Sequence, residues 1–185
     1  MRKIKPSFQS PLRPWSKEAI EENKKIKTDY GLRRKKEILR AENILRNYRT
    51  LARELAAKRD KEKEMVLVNK LKKLGLLNQE KASLDDVLAL SVENILDRRL
   101  QTIIVKKGLA RTPLQARQFI VHGHVALDGK KIKWPSTLIT SEQEAKISFY
   151  ARSAVKVNML KKLEEKPAEK VEEVKGEVNG GNKTA

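Results

Sequence analysis

The sequence predicts an α+β protein. A mostly helical N-terminal region leads into a small module of two helices and a β-hairpin or small sheet, followed by a disordered C-terminal tail. Three observations carry this expectation. Apolar residues between 32 and 74 recur every three or four positions, the spacing of one helix face. Asp128-Gly129 separates Val125-Ala126-Leu127 from Lys130-Lys131-Ile132, and both positions of such a turn accept positive φ, which favours a hairpin. From Lys161 onward there are six Lys, six Glu and no aromatic residue, a composition that cannot bury a core.

The 185 residues suit one compact domain with appendages. Residues 1–30 are expected to form a basic extended arm, because Pro6, Pro11 and Pro14 interrupt any early helix and eight basic residues face three acidic ones up to Lys27. Residues 31–97 form the helical region. Its first helix runs from about Leu32 to Lys58, with Ile38, Ala41, Leu45, Tyr48, Ala52 and Leu55 as an a/d seam. The second runs from about Lys61 to Leu74 through Met65, Val68 and Leu71, and Gly75 is placed to end it. Ser83 before Leu84-Asp85-Asp86 signals a further helix start. Ser91 opens another helix, which carries Val92, Ile95, Leu96, Leu100, Ile103 and Ile104 to a stop at Gly108. Residues 98–160 are the module. Thr112-Pro113 caps its second helix, Pro113 to Val121, because proline at the first helical position gives up a donor that has no partner there. Lys146 to Tyr150 alternates as a strand would, and residues 161–185 are the charged tail.

Charge narrows the partners. Lys and Arg number 42 against 24 Asp and Glu, a formal net charge of +18, and the tail contributes none of that excess. So large an imbalance attracts polyanions, and each neutralised phosphate releases a counterion. Aromatic residues are only 4% of the chain, too few for a sheet that stacks bases on rings. The absence of cysteine excludes disulfides and thiolate-held zinc, and fits a reducing compartment. No apolar run approaches the roughly 20 residues that span a bilayer. The basic, Pro-interrupted start from Met1 to Trp15 does not read as a secretory signal. No Ser-His-Asp set or phosphate-loop signature occurs, so no enzyme activity, no cofactor and no small-molecule substrate are expected.

The informative stretch is Arg98 to Ile132. Leu100, Ile103, Ile104, Leu114, Ala116, Phe119, Ile120 and Val121 offer apolar surface to close two helices on a hairpin. Around them stand Arg98, Arg99, Lys106, Lys107, Arg111, Arg117, Lys130 and Lys131, and residues 98–150 hold ten basic and three acidic residues. Gln115, Arg117 and Gln118 have long side chains with planar donors, suited to phosphate and 2′-hydroxyl contacts across a shallow groove. Recognition of RNA shape, rather than of unpaired bases, is the expectation. Lys35, Arg46, Arg49 and Arg53 form a stripe on the first long helix, with Glu42 among them. A solvated face and an RNA contact are equally open readings of that stripe.

Arg98-Arg99-Leu100, Gly108-Leu109-Ala110, Ala116-Arg117-Gln118 and His122 through Asp128-Gly129 resemble the RNA-binding module named after the fourth small-subunit ribosomal protein. Pro14-Trp15, Tyr30-Gly31-Leu32, Lys72-Lys73-Leu74-Gly75-Leu76-Leu77, Leu84 through Leu88 and Leu90 through Glu93 resemble the archaeal and eukaryotic branch of that ribosomal protein's family over roughly residues 12–155. The resemblance implies a primary binder of small-subunit ribosomal RNA in the cytoplasmic ribosome. It also implies neighbouring ribosomal proteins as partners, a role in nucleating subunit assembly, and support of translational accuracy. The alternative is a nucleolar-type assembly paralogue that acts on precursor RNA. The RNA-facing candidates it carries over are Arg98, Arg99, Lys106, Lys107, Arg111, Gln115, Arg117, Gln118, His122 and His124, with Arg99 and Arg117 foremost. The zinc site of some bacterial members needs Cys ligands, which this chain lacks.

Other readings stay open at several positions. Arg98 caps a neighbouring carbonyl or pairs with Asp97. Arg117 contacts RNA, or holds its helix through Asp97 or Asp128. His122 and His124 bracket Gly123 without a nearby third ligand, so turn stabilisation or a phosphate contact outweighs a metal. Trp134, before Pro135, stacks on a base or packs on the domain.

Overall fold

In the computed structural model, which describes residues 7–77 and 82–155, the expected α+β class is found. Helices α1 (Lys17–Asp29), α2 (Lys35–Lys58), α3 (Lys61–Lys73), α4 (Leu84–Ala89) and α5 (Val92–Asp97) precede the module. There follow α6 (Leu100–Lys106), α7 (Pro113–Val121), β1 (Val125–Leu127), β2 (Lys130–Lys131), α8 (Ser141–Ala145) and β3 (Ile147–Phe149). The expected tail, 161–185, lies outside the described residues.

The first correction concerns the arm. Residues 17–29 are helical rather than extended, because Pro14 is the last breaker and Ser16 then takes the N-cap position in an extended conformation. Glu21 and Lys25 stand four apart in the stabilising order. No residue of α1 is fully buried, but Ile26 packs against the helical core, as does Tyr30 beyond the helix end.

The seam of α2 lies where its spacing places it. Ile38, Ala41, Leu45 and Ala52 are buried, with Tyr48 and Leu55 partly covered. In α3 the face is rotated: Leu67, Val68 and Leu71 are buried, whereas Met65 is 60% exposed. Met65-Val66-Leu67-Val68 is a continuous apolar run, so its spacing could not choose the buried pair; α3 meets the core along the single row containing Leu67, Val68 and Leu71. Val87, Leu90, Ile95 and Leu96 complete this first core.

The helix expected from Ser91 to Gly108 is broken at Arg98-Arg99. The Leu100 N–H donates to the Thr137 carbonyl (2.8 Å) and the Ile139 N–H to the Arg98 carbonyl (3.0 Å), so a strap at residues 134–139 claims backbone groups at the break. Arg99 and Leu138 form an isolated antiparallel bridge there. Leu138 packs on the first core and Ile139 is buried in the second, so the strap touches both.

The second core consists of Leu100, Ile103, Ile104, Ala110, Ala116, Ile120, Val125, Ile139 and Ile147. Leu114 (68% exposed) and Val121 (51%) lie on the opposite side of α7 and do not contribute to it as expected. Thr112 Oγ1 accepts from the Gln115 N–H at 3.2 Å, as the cap requires. The antiparallel sheet has the order β2-β1-β3. Asp128 (φ 53°) and Gly129 (φ 77°) make the turn between β1 and β2, both left-handed.

Candidate nucleic-acid interface

The two arginines placed foremost by sequence turn inward. Arg99 Nη2 donates to Glu37 Oε2 at 2.6 Å, with only 5% of the arginine side chain exposed. Arg117 Nη2 donates to Glu37 Oε1 (3.0 Å) and Nη1 to Glu37 Oε2 (3.2 Å), a two-pronged grip. Arg117 is therefore tied to Glu37, not to Asp97 or Asp128. Arg99, an RNA-facing candidate by sequence, is buried against Glu37 and so takes no part in the exposed surface. Burial alone would raise the Glu37 pKa, but the hydrogen bonds and charges of Arg117 and Arg99 outweigh it and hold the carboxyl below its ordinary value.

Gln101 sits beside this network, 1% exposed. Its Nε2 lies within hydrogen-bonding distance of the carbonyls of Tyr30 (3.1 Å), Gly31 (3.1 Å) and Pro113 (2.9 Å), joining the α1–α2 turn to α6 and α7. Gly31 makes that approach possible: its φ is +57°, and a Cβ there would lie 2.8 Å from Pro113 Cβ. Burial, then the charge and hydrogen bonding of Asp97, push the Tyr30 hydroxyl up to about 12. Arg98 Nη1 pairs with Glu144 (2.8 Å) and Nη2 donates to the Ile139 carbonyl (3.1 Å), so it caps a carbonyl and leaves Asp97 to Lys106 (2.9 Å).

The remaining candidates form the outward surface. Lys106, Lys107, Arg111, Gln118, His122, Lys130 and Lys131 are exposed. Lys107 donates to the Glu144 carbonyl. Gln115 is half-buried, and its Oε1 accepts from the Arg111 N–H at 2.8 Å, so it shapes the loop before α7. His124 shares a hydrogen bond with the buried Ser153 hydroxyl (3.0 Å) and stacks on His122 at 6.1 Å. Among the described residues no group of three or more His, Cys, Asp or Glu is placed to hold a metal. Trp134 is 72% exposed, not packed on the domain. On α2, Arg46, Arg49 and Arg53 converge on one shallow cleft with Glu42. Arg46 donates to Gln9, Arg49 to the Leu90 carbonyl (2.6 Å), and Arg53 is exposed.

Sequence reasoning missed a second basic group. Arg33, Arg34, Lys36 and Arg40, together with Arg99, Arg117 and Glu37, line a cleft of about 350 Å³ between the start of α2 and the module. A signal was available. Arg33-Arg34-Lys35-Lys36 puts four cations at a helix N-terminus, where the macrodipole favours anions. A local conflict of that kind points to a functional position.

Residues 98–144, the region of α6, α7 and the hairpin, match the family model described as the S4 domain. The chain is 47% identical over 160 residues to the small ribosomal subunit protein uS4 of Metallosphaera sedula, covering 85% of this chain and 89% of that protein. It is 44% identical over 158 residues to the uS4 protein of Saccharolobus islandicus (84% and 87% covered). With the uS4 protein of Methanococcus aeolicus the identity is 46% over 155 residues (82% and 88%).

Proposed function

Because the chain belongs to the uS4 family of small ribosomal subunit proteins, we propose that it is a structural constituent of the small subunit that binds small-subunit ribosomal RNA directly. The observation that carries this is the likeness to ribosomal relatives along nearly their whole length, helical region and module together. A module borrowed by an RNA-modifying enzyme would match over the module alone, so the chain is read as structural, not enzymatic. The assembly paralogue is not favoured, since the relatives bear a ribosomal name. The place of action is the cytoplasmic ribosome, with neighbouring ribosomal proteins as further partners. Among the described residues no helix is long and apolar enough to cross a membrane.

The RNA-facing surface comprises Lys106, Lys107, Arg111, Gln118, His122, Lys130 and Lys131 on the module, and Arg46 and Arg53 on α2. Arg117, 22% exposed, stands at its edge. Exposed cations exchange counterions for phosphates, Lys106 by giving up its solvent-exposed pair with Asp97, and rigid elements keep them in register. The separation of two cores supports a helical region at 31–97 and a module at 98–160. Early binding by such a two-part grip would nucleate assembly and, by fixing the local RNA fold, support accurate translation.

The test is sedimentation. The protein should remain with the small subunit after a high-salt wash, at one copy per subunit. Release into the soluble fraction, or association only with precursor particles, would transfer the reading to an assembly factor.

A further inference from the structure

We propose that the cleft between α2 and the module is a binding site for a single phosphate of the RNA backbone, distinct from the exposed ridge. This rests on the RNA-binding reading. At about 350 Å³ the cleft holds roughly a dozen water volumes, ample for a phosphodiester and its first waters. Six cationic side chains and one carboxylate line it. Both oxygens of that carboxylate, Glu37, are engaged by Arg99 and Arg117 at the floor, so it does not reach the cations at the mouth.

Three of those cations, Arg33, Arg34 and Arg40, are exposed and have no hydrogen bond or ion pair among the described residues. Folding gathers them against mutual repulsion. Arg34 occupies the N-cap position of the 24-residue α2 without a side-chain cap, so the positive end of the helix faces the same space. A separate observation comes from the floor. Arg99 is 96% buried by its 4% exposure, lines the cleft, and has an Nε with no hydrogen-bond partner. Ile44, Ile95 and Leu138 supply apolar wall, which lowers the local dielectric and strengthens attraction to an anion. A planar guanidinium fork matches a phosphate's oxygens. One phosphate here would contact cations from α2 and from the module at once, and would lock their relative position.

The test compares the full-length protein with Arg33→Gln/Arg40→Gln. A control, Lys58→Gln/Lys61→Gln, removes the same charge from the junction of α2 and α3, at the far end of α2 from the cleft. Affinity for transcribed small-subunit ribosomal RNA and for an unrelated structured RNA of equal length is measured across salt. The cleft variant should lose at least tenfold affinity for the ribosomal RNA, and its log–log salt slope should become shallower by about one. Its melting temperature should stay within about two degrees of the wild type, since neither residue is buried. The control should remain within twofold. Equal losses in both variants would mean that only net charge matters, and an unchanged slope in the cleft variant would mean that no phosphate sits there; either overturns the proposal. If the slope changes but the wild type does not prefer ribosomal RNA, the cleft stands and the ribosomal reading fails.

Discussion

Replacing Glu37 with Gln keeps the side chain's size and removes its charge. Three hydrogen bonds to two arginines are then reduced to those one amide oxygen can accept, and two guanidiniums lose their counter-charge. Arg99 is 5% exposed, Glu37 14% and Arg117 22%, so water compensates only part of the loss. Removing one partner of a buried ion pair costs about 3–5 kcal/mol, and the exposure of Arg117 places this case near about 3 kcal/mol. For a chain of this size that lowers the melting temperature by roughly 6–12 °C. Acid supplies a second reading. The Glu37 pKa is depressed in the folded state, so its stabilisation is complete above the unfolded carboxylate value and is lost as pH falls through the lower folded value. Urea melts of wild type and variant should therefore differ fully at neutral pH and converge only in the acid range below the ordinary carboxylate value. A difference under about 0.5 kcal/mol at neutral pH, within the range of an ordinary surface change, would refute the argument that this triad ties α2 to the module. So would a difference unaffected by acid.

Other outcomes follow from the same contacts. Binding to small-subunit ribosomal RNA should fall by roughly a thousandfold or more between about 50 and 200 mM salt if six to ten phosphates are engaged, and a flat salt plot in filter binding would refute a multi-phosphate grip. Gly31→Ala should destabilise the fold by about 1–3 kcal/mol, because alanine is strained at φ +57° and its Cβ meets Pro113; chemical denaturation measures this. Gln101→Leu keeps the volume but removes the two amide protons shared among the carbonyls of Tyr30, Gly31 and Pro113, and should cost about 2–3 kcal/mol by the same assay. Arg117→Ala should lower the melting temperature as well as RNA affinity, with Arg117→Lys recovering only part of each. Unchanged melting would show that the Glu37 grip holds nothing together.

The elements legible in the sequence were those set by local chemistry. The seam of α2, the Thr112-Pro113 cap and the Asp128-Gly129 turn each follow from residues within one or two turns of chain. The break at Arg98-Arg99 does not, because Leu96, Leu100, Ile103 and Ile104 keep perfect helical spacing across it. The competing hydrogen bonds come from Thr137 and Ile139, some forty positions away. The site divides in the same way. The cations on the outward ridge were visible as a basic cluster. The inward turn of Arg99 and Arg117 was not, since their partner Glu37 lies 62 and 80 residues earlier in a helix whose other charges are mostly basic. Gln101 reads as an ordinary helical glutamine until the Tyr30-Gly31 turn is brought against it.

The strap at residues 134–139 also orders events during synthesis. Leu138 belongs to the core built by the first half of the chain, yet it emerges about forty residues after Arg99. At 5–20 residues per second, that interval lasts roughly 2–8 s. Throughout it the nascent helical half exposes the apolar seat that Leu138 will fill, and for about its first half Glu37 awaits Arg117, the second of its arginines. Closure is thus postponed until nearly the whole module has left the ribosome that makes it, so the two halves mature together rather than in succession.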